Sequence, residues 1–292
     1  MVLVVILVQH AQFAAIGDSV RCSASMESLT PNTISMKTNV RKFLSKWIGA
    51  SKSASNDKDL RKHIFQQSMP ILWFGDFEEY EKSAFKIVTV GLNPSYKEFV
   101  ESRFEKTVIK DFNCKKCCAL DAYYESLNKY FTNNPYTKWF GNFEKVLEIF
   151  GSSYGGNVKN GSRLRNTSVH IDICSPFATC PTWGNLCNVM QEKFKTKTNG
   201  LFVESIILLK PDLIIISCSE KIIDSVFHGS KKINAAGVLS KYIYGFNWTP
   251  SGKLHAVKVI CGRNMRGTPF GGFAIGNRKE MKKLMKKLGN VK

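Results

Sequence analysis

Four short apolar runs, rich in β-branched residues, limit what this chain can fold into. They are residues 85–90 (FKIVTV), 168–173 (SVHIDI), 213–217 (LIIIS) and 256–261 (AVKVIC). Within each, apolar residues stand side by side without clean alternation. That is the pattern of strands buried on both faces of a parallel sheet. The intervals carry helical patterns: ALDAYYESLNKYF and KWFGNFEKVLEIF in the first, LCNVMQEKF and GLFVESIILLK in the second. In the tail, NRKEMKKLMKKL places Met281, Leu284, Met285 and Leu288 at i, i+3, i+4 and i+7, the apolar stripe of a helix with a lysine-rich outer face. Strand–helix alternation predicts an α/β fold. The expected architecture is a three-layer α/β/α domain around a central four-stranded, mostly parallel sheet. In such sheets ligands bind at the carboxyl ends of the strands.

The expected organisation has three parts. Residues 1–25 open on MVLVVILV, which is apolar but has no preceding Lys or Arg. It is shorter than the roughly 20 residues a membrane helix needs. It reads as a disordered leader or a mis-started one, with Met26 as an alternative start. Residues 26–70 read as a basic helical extension, NVRKFLSKWIG and DKDLRKHIF, joined by a flexible connector, SKSASND. Residues 71–292 hold the α/β domain.

Lys and Arg number 42 against 23 Asp and Glu, a formal net charge of +19 over 292 residues. Such a field favours polyanionic partners, nucleic acid before anionic membrane. Nine cysteines, scattered rather than framed, fit a reducing, cytoplasmic setting better than a disulfide scaffold. Cys114, Cys117 and Cys118 have locally metal-like spacing, but no second CxxC exists. Cys174, Cys180 and Cys187 are irregularly placed, so buried or free thiols are the plainer reading and no metal or other cofactor is expected.

The strand ends carry the chemistry. GLNPSY (91–96) follows the first run, DICSPFATCPTW (172–183) closes the second, SCSEK (217–221) the third and CGRNMRGTPFGG (261–272) the fourth. All are small, polar or basic, and none is a Walker loop or GxGxxG. In this setting GLNPS resembles the first motif of the uracil-DNA glycosylase superfamily, in its asparagine version. LKPDLIIISCSEK is similar to that family's third strand and phosphate loop, and HIDICSPF to its HN-L-C-P pattern. The resemblance spans roughly residues 70–290. It departs where the family has a histidine after the last strand, since GRNMRG has none, and where Cys218 replaces a usual glycine.

The resemblance implies a monomeric, monofunctional DNA glycosylase that flips a base and hydrolyses its bond to the sugar without a cofactor. Asn93 would position water, and Asn264 or Arg263 would donate to the leaving base. Met265, between Arg263 and Arg266, would wedge the stack. Ser219, Lys221 and Thr182, with Trp183, would meet the DNA backbone. An aromatic wall would come from Phe99, Phe104 or Phe112, with Phe104 preferred. Asp172 stands where the family's asparagine reads uracil. A carboxylate accepts from the N4 amino group of cytosine but has no donor for uracil O4, and a protonated carboxyl could also donate to cytosine N3. Ser95, where classical uracil enzymes have a tyrosine, leaves room for a 5-substituent. The expected substrate is therefore a 5-modified cytosine, such as the hydroxymethyl or glucosylated base of phage DNA, in an anti-phage role. Uracil repair and non-catalytic nucleic-acid binding on the same fold remain the alternatives. For the single residues the plainer roles also stay open: a strand-exit turn for GLNP, a turn or helix cap for Asp172, core for the phenylalanines.

Overall fold

A computed structural model describes residues 31–65, 68–104, 119–156, 166–198, 200–250, 255–265, 268–272 and 276–289. The leader, Met26, Phe112, the cysteines at 114, 117 and 118, and Arg266 lie outside the described residues. Residues Asn39–Lys292 form one compact unit.

Among the described residues eight strands are formed: β1 (Ile87–Gly91), β2 (Ser152–Ser153), β3 (Asn166–Thr167), β4 (Val169–Asp172), β5 (Leu213–Ile216), β6 (Ile233–Asn234), β7 (Ile243–Trp248) and β8 (Val257–Gly262). The central sheet has the order β4-β1-β5-β8-β7-β6, and β2 and β3 pair separately. The four runs read from the sequence are β1, β4, β5 and β8, and these four are parallel to one another. All five residues of β1 and all four of β5 are buried, as their unbroken apolar character requires.

The four-stranded expectation is corrected by the other two members. The sheet has six strands and is mixed, because β7 pairs antiparallel with β8 and with β6. The segment IYGFNW lacks a Val/Ile run and is only half regular, with Tyr244 and Asn247 partly exposed. β6 is two residues long. Gly245 explains the close packing over β7: a Cβ there would lie 2.8 Å from Leu288 Cδ1 and 2.8 Å from the Val259 carbonyl oxygen. The final helix, Arg278–Gly289, buries Met281, Leu284 and Leu288 against this edge and leaves its lysines outside.

The connector SKSASND is also corrected. A single helix runs from Pro31 to Asn56 through it. Ser51 and Ala54 are buried, Ala54 in a small cluster with Leu60, Phe177, Trp183 and Phe194. Tertiary burial here overrides the low helix propensity of serine and asparagine. Val40, Leu44 and Trp47 of the same helix belong to the main core. The outer edge of β4 is closed by an isolated antiparallel bridge, in which the Phe74 amide donates to the His170 carbonyl at 2.8 Å and the His170 amide to Phe74 at 3.0 Å. Among the described residues no helix is long and apolar enough to cross a membrane.

Candidate active-site pocket at the ends of β1 and β4

Register decides what meets at the strand ends. Thr89 pairs with His170 and Gly91 with Asp172 across β1 and β4. In a strand, residues two apart share a face, so His170 and Asp172 project together. Gly91 ends β1 and needs no positive φ. What it supplies is space, since a Cβ would sit 2.7 Å from Asp172 Oδ1 and 2.9 Å from His170 Nε2. The glycine of GLNP is therefore there to clear room for two side chains of the neighbouring strand, rather than to make the turn. Pairing continues beyond the strands, with Ile173 and Cys174 amides donating to the Gly91 and Leu92 carbonyls.

Above this junction lies a pocket of about 580 Å³. Asn93, Ser95, Asp172, Thr182 and Asn264, all singled out in the sequence, line it. Asn93 Nδ2 donates to the Phe177 carbonyl at 3.1 Å and to Thr179 Oγ1 at 3.2 Å. The carbonyl acceptor fixes which way the amide points, and Oδ1 makes no hydrogen bond to the described residues. Ser95 Oγ accepts from the Lys97 amide at 3.2 Å. The Asp172 side chain is 3% exposed, and its Oδ2 is buried without a hydrogen-bond partner. Burial pushes this carboxyl above its usual range, opposed by His170, whose Nε2 lies 3.6 Å from Oδ1. Asn264 Oδ1 is likewise buried and unpartnered. Orphaned acceptors in a cavity wall suit a ligand that brings donors.

Three features of the pocket were not read from the sequence. His170 is ringed by Phe74, Phe140 and Phe143, with centroids 5.1–5.6 Å away. Its Nδ1 lies 2.7 Å from Thr89 Oγ1, which in turn lies 2.5 Å from the Tyr154 hydroxyl. The i, i+2 spacing of VHID was the available signal. Glu98 lies in the wall, on the short helix Lys97–Val100 that follows the motif. Beside Tyr96 of the motif itself, the aromatic walls are Phe74, Tyr136, Trp139, Phe140 and Trp183. Most of these come from distant helices and loops, so only folding brings them here.

Phe104 is the corrected expectation. It is 1% exposed and stacked on Phe99, with ring centroids 5.8 Å apart, and does not line the pocket. Its apolar bulk is spent on the core. The DNA-contact candidates divide. Thr182 is on the pocket rim and Met265 is 40% exposed, its amide and that of Thr268 each donating to the other's carbonyl. Arg263 lines a different cleft of about 210 Å³, at the ends of β5 and β8, with Lys232, Lys241, Tyr242 and Tyr244. Lys221 lines a third cavity, and Ser219 is exposed at the start of the helix Glu220–Val226 without capping it through its side chain.

Among the described residues, no group of three or more His, Cys, Asp or Glu side chains could hold a metal ion. Cys174 is buried, whereas Cys180 and Cys187 are exposed. No protein-family model matches this chain, and no curated protein matches it.

Proposed function

We propose that the chain is a DNA glycosylase of the uracil-DNA glycosylase-like kind, hydrolysing the bond between a flipped-out pyrimidine and its sugar. The observation that carries this reading is the state of Asn93. Its amide nitrogen is tied to Phe177 and Thr179, which leaves Oδ1 to hold a water molecule in the pocket that also contains Asp172. Bond cleavage leaves positive charge on the sugar and negative charge on the base, so a held water, base-binding groups and a dry, aromatic enclosure are the required parts. The four adjacent parallel strands on one side of the sheet and the +19 charge accord with it.

Room in the pocket supports a substituted base. A bare pyrimidine fills roughly 150 Å³ at protein packing density, well short of about 580 Å³. With Ser95 in the wall, a 5-modified cytosine, hydroxymethylated or glucosylated as in phage DNA, is the first reading, and Asp172 accepts from its amino group. An anti-phage role in the cytoplasm follows from that substrate. Uracil is the second reading, and the burial of Asp172 favours it: a neutral carboxyl can donate to O4 and accept from N3–H much as an amide would.

Mass spectrometry of bases released from DNAs carrying uracil, cytosine or 5-modified cytosines decides between them. Release of a modified cytosine supports the first reading, and release of uracil alone the second. Binding without release from any DNA leaves a nucleic-acid-binding module.

A further inference from the structure

Asn93 can hold water but cannot take its proton, because an amide is not a base at ordinary pH. The pocket must supply that base if it hydrolyses anything. Asp172 faces the proposed base-reading position. His170 is committed through Nδ1 to Thr89 and enclosed by phenylalanine rings. Glu98 is left.

Glu98 is 2% exposed and is part of the pocket wall. Its Oε2 is held from the protein side, accepting from the Tyr130 hydroxyl at 2.5 Å with Arg103 Nε at 3.7 Å. Oε1 has no hydrogen-bond partner among the described residues. Tyr130 is itself fixed, as its hydroxyl oxygen accepts from the Tyr136 amide at 3.0 Å. Arg103 is anchored by the Asn134 carbonyl and Glu101 and lies over the Tyr136 ring. One oxygen is thus gripped and the other is free, on a helix that begins two residues after Ser95.

We propose that Glu98 is the general base of this pocket, accepting the proton of the water that Asn93 holds; the assignment rests on the glycosylase reading. Water oxygen forms the new bond to the sugar C1′, and the bond from C1′ to the base nitrogen breaks. That electron pair leaves with the base. One water proton passes to Glu98 and the other stays on the new sugar hydroxyl. Glu98 then returns its proton to the departing base or to solvent, so no co-reactant is needed.

The surroundings suit this duty. Burial raises the Glu98 carboxyl to about 8, with the Tyr130 hydrogen bond and Arg103 opposing and the charges of Asp172 and Glu101 reinforcing. A base poised near the working pH is the efficient one. Release should therefore rise with pH through a limb near 8.

The test is single-turnover base release against pH, on the DNA from which the wild-type protein releases a base. Glu98→Gln should slow release by about 10²–10⁴-fold and abolish the rising limb, with binding of that DNA retained. Tyr130→Phe removes a hydrogen bond that favours ionised Glu98, so its limb should move to higher pH. Wild-type rate and profile in Glu98→Gln would overturn the proposal. So would a uniform loss with the limb unmoved in Tyr130→Phe, which marks a structural acid. If the wild-type protein releases no base from any DNA, the glycosylase reading falls first and Glu98 with it.

Discussion

Two cavities open at the carboxyl ends of one sheet, and their chemistry is opposite. The pocket at β1 and β4 is walled by aromatic rings and contains two buried acids, Asp172 and Glu98. The cleft at β5 and β8 is smaller and lined by Lys232, Lys241 and Arg263. Even there one cation is spoken for: Lys232 lies 2.6 Å from Glu220 and 3.0 Å from Asp224, and 5.1 Å from the centre of the Tyr244 ring. Strand ends alone therefore do not decide what binds. In the proposed reading the first pocket takes a neutral, planar group out of water, while the second presents charges to a polyanion backbone. In a chain of +19 this pocket nonetheless gathers two buried carboxyls.

The comparison can be broken most severely at the core beneath the first pocket. Phe104→Ala should cost about 3–5 kcal/mol of unfolding free energy, measured by denaturant titration. A loss of base release with stability unchanged would instead return Phe104 to the pocket wall. Asn93→Ala should lower base release about 100-fold, roughly 2.7 kcal/mol, through mispositioned water. DNA affinity should hold, so single-turnover rates and anisotropy separate the two effects. Gly91→Ala adds a methyl against Asp172 and His170 and should cost about 1–3 kcal/mol, read from thermal unfolding.

Asp172 sharpens the contrast through pH. Its carboxyl is raised by burial above an unfolded value of 3.8, so the folded state keeps its proton longer than the unfolded chain does. Stability from this group is greatest at low pH. It declines as pH rises from near 3.8 through the folded-state value, at no more than about 1.4 kcal/mol per pH unit. Asp172→Asn should remove that part of the slope in denaturant titrations run across pH. The smallest effect belongs to the second cleft. Arg263→Ala should weaken DNA binding a few-fold and reduce the slope of log affinity against log salt by about 1.

The parallel half of the sheet was legible because burial on both faces demands unbroken Val and Ile, and that composition is visible residue by residue. The antiparallel half was not. β7 has aromatic and polar residues in a broken alternation, and β6 is too short to leave a pattern. In the pocket, GLNPS, Asp172 and Asn264 could be picked out because each lies in a loop or at a strand end. His170 and Glu98 could not. A histidine inside an apolar strand and a glutamate in KEFV look like neighbours of the core until register and packing turn them into one cavity.

Sequence by itself determined the strands β1, β4, β5 and β8, the longer helices of the first two intervals and of the tail, the basic field and the polar strand ends, since these follow from local composition and period. Tertiary structure alone decided that Gly91 opposes Asp172, that Asn93 is held by its nitrogen, that Phe104 is core, and that Glu98 joins the wall. Each depends on which distant backbone lies alongside. That is set by the closest packing of the whole chain and not by any segment of it.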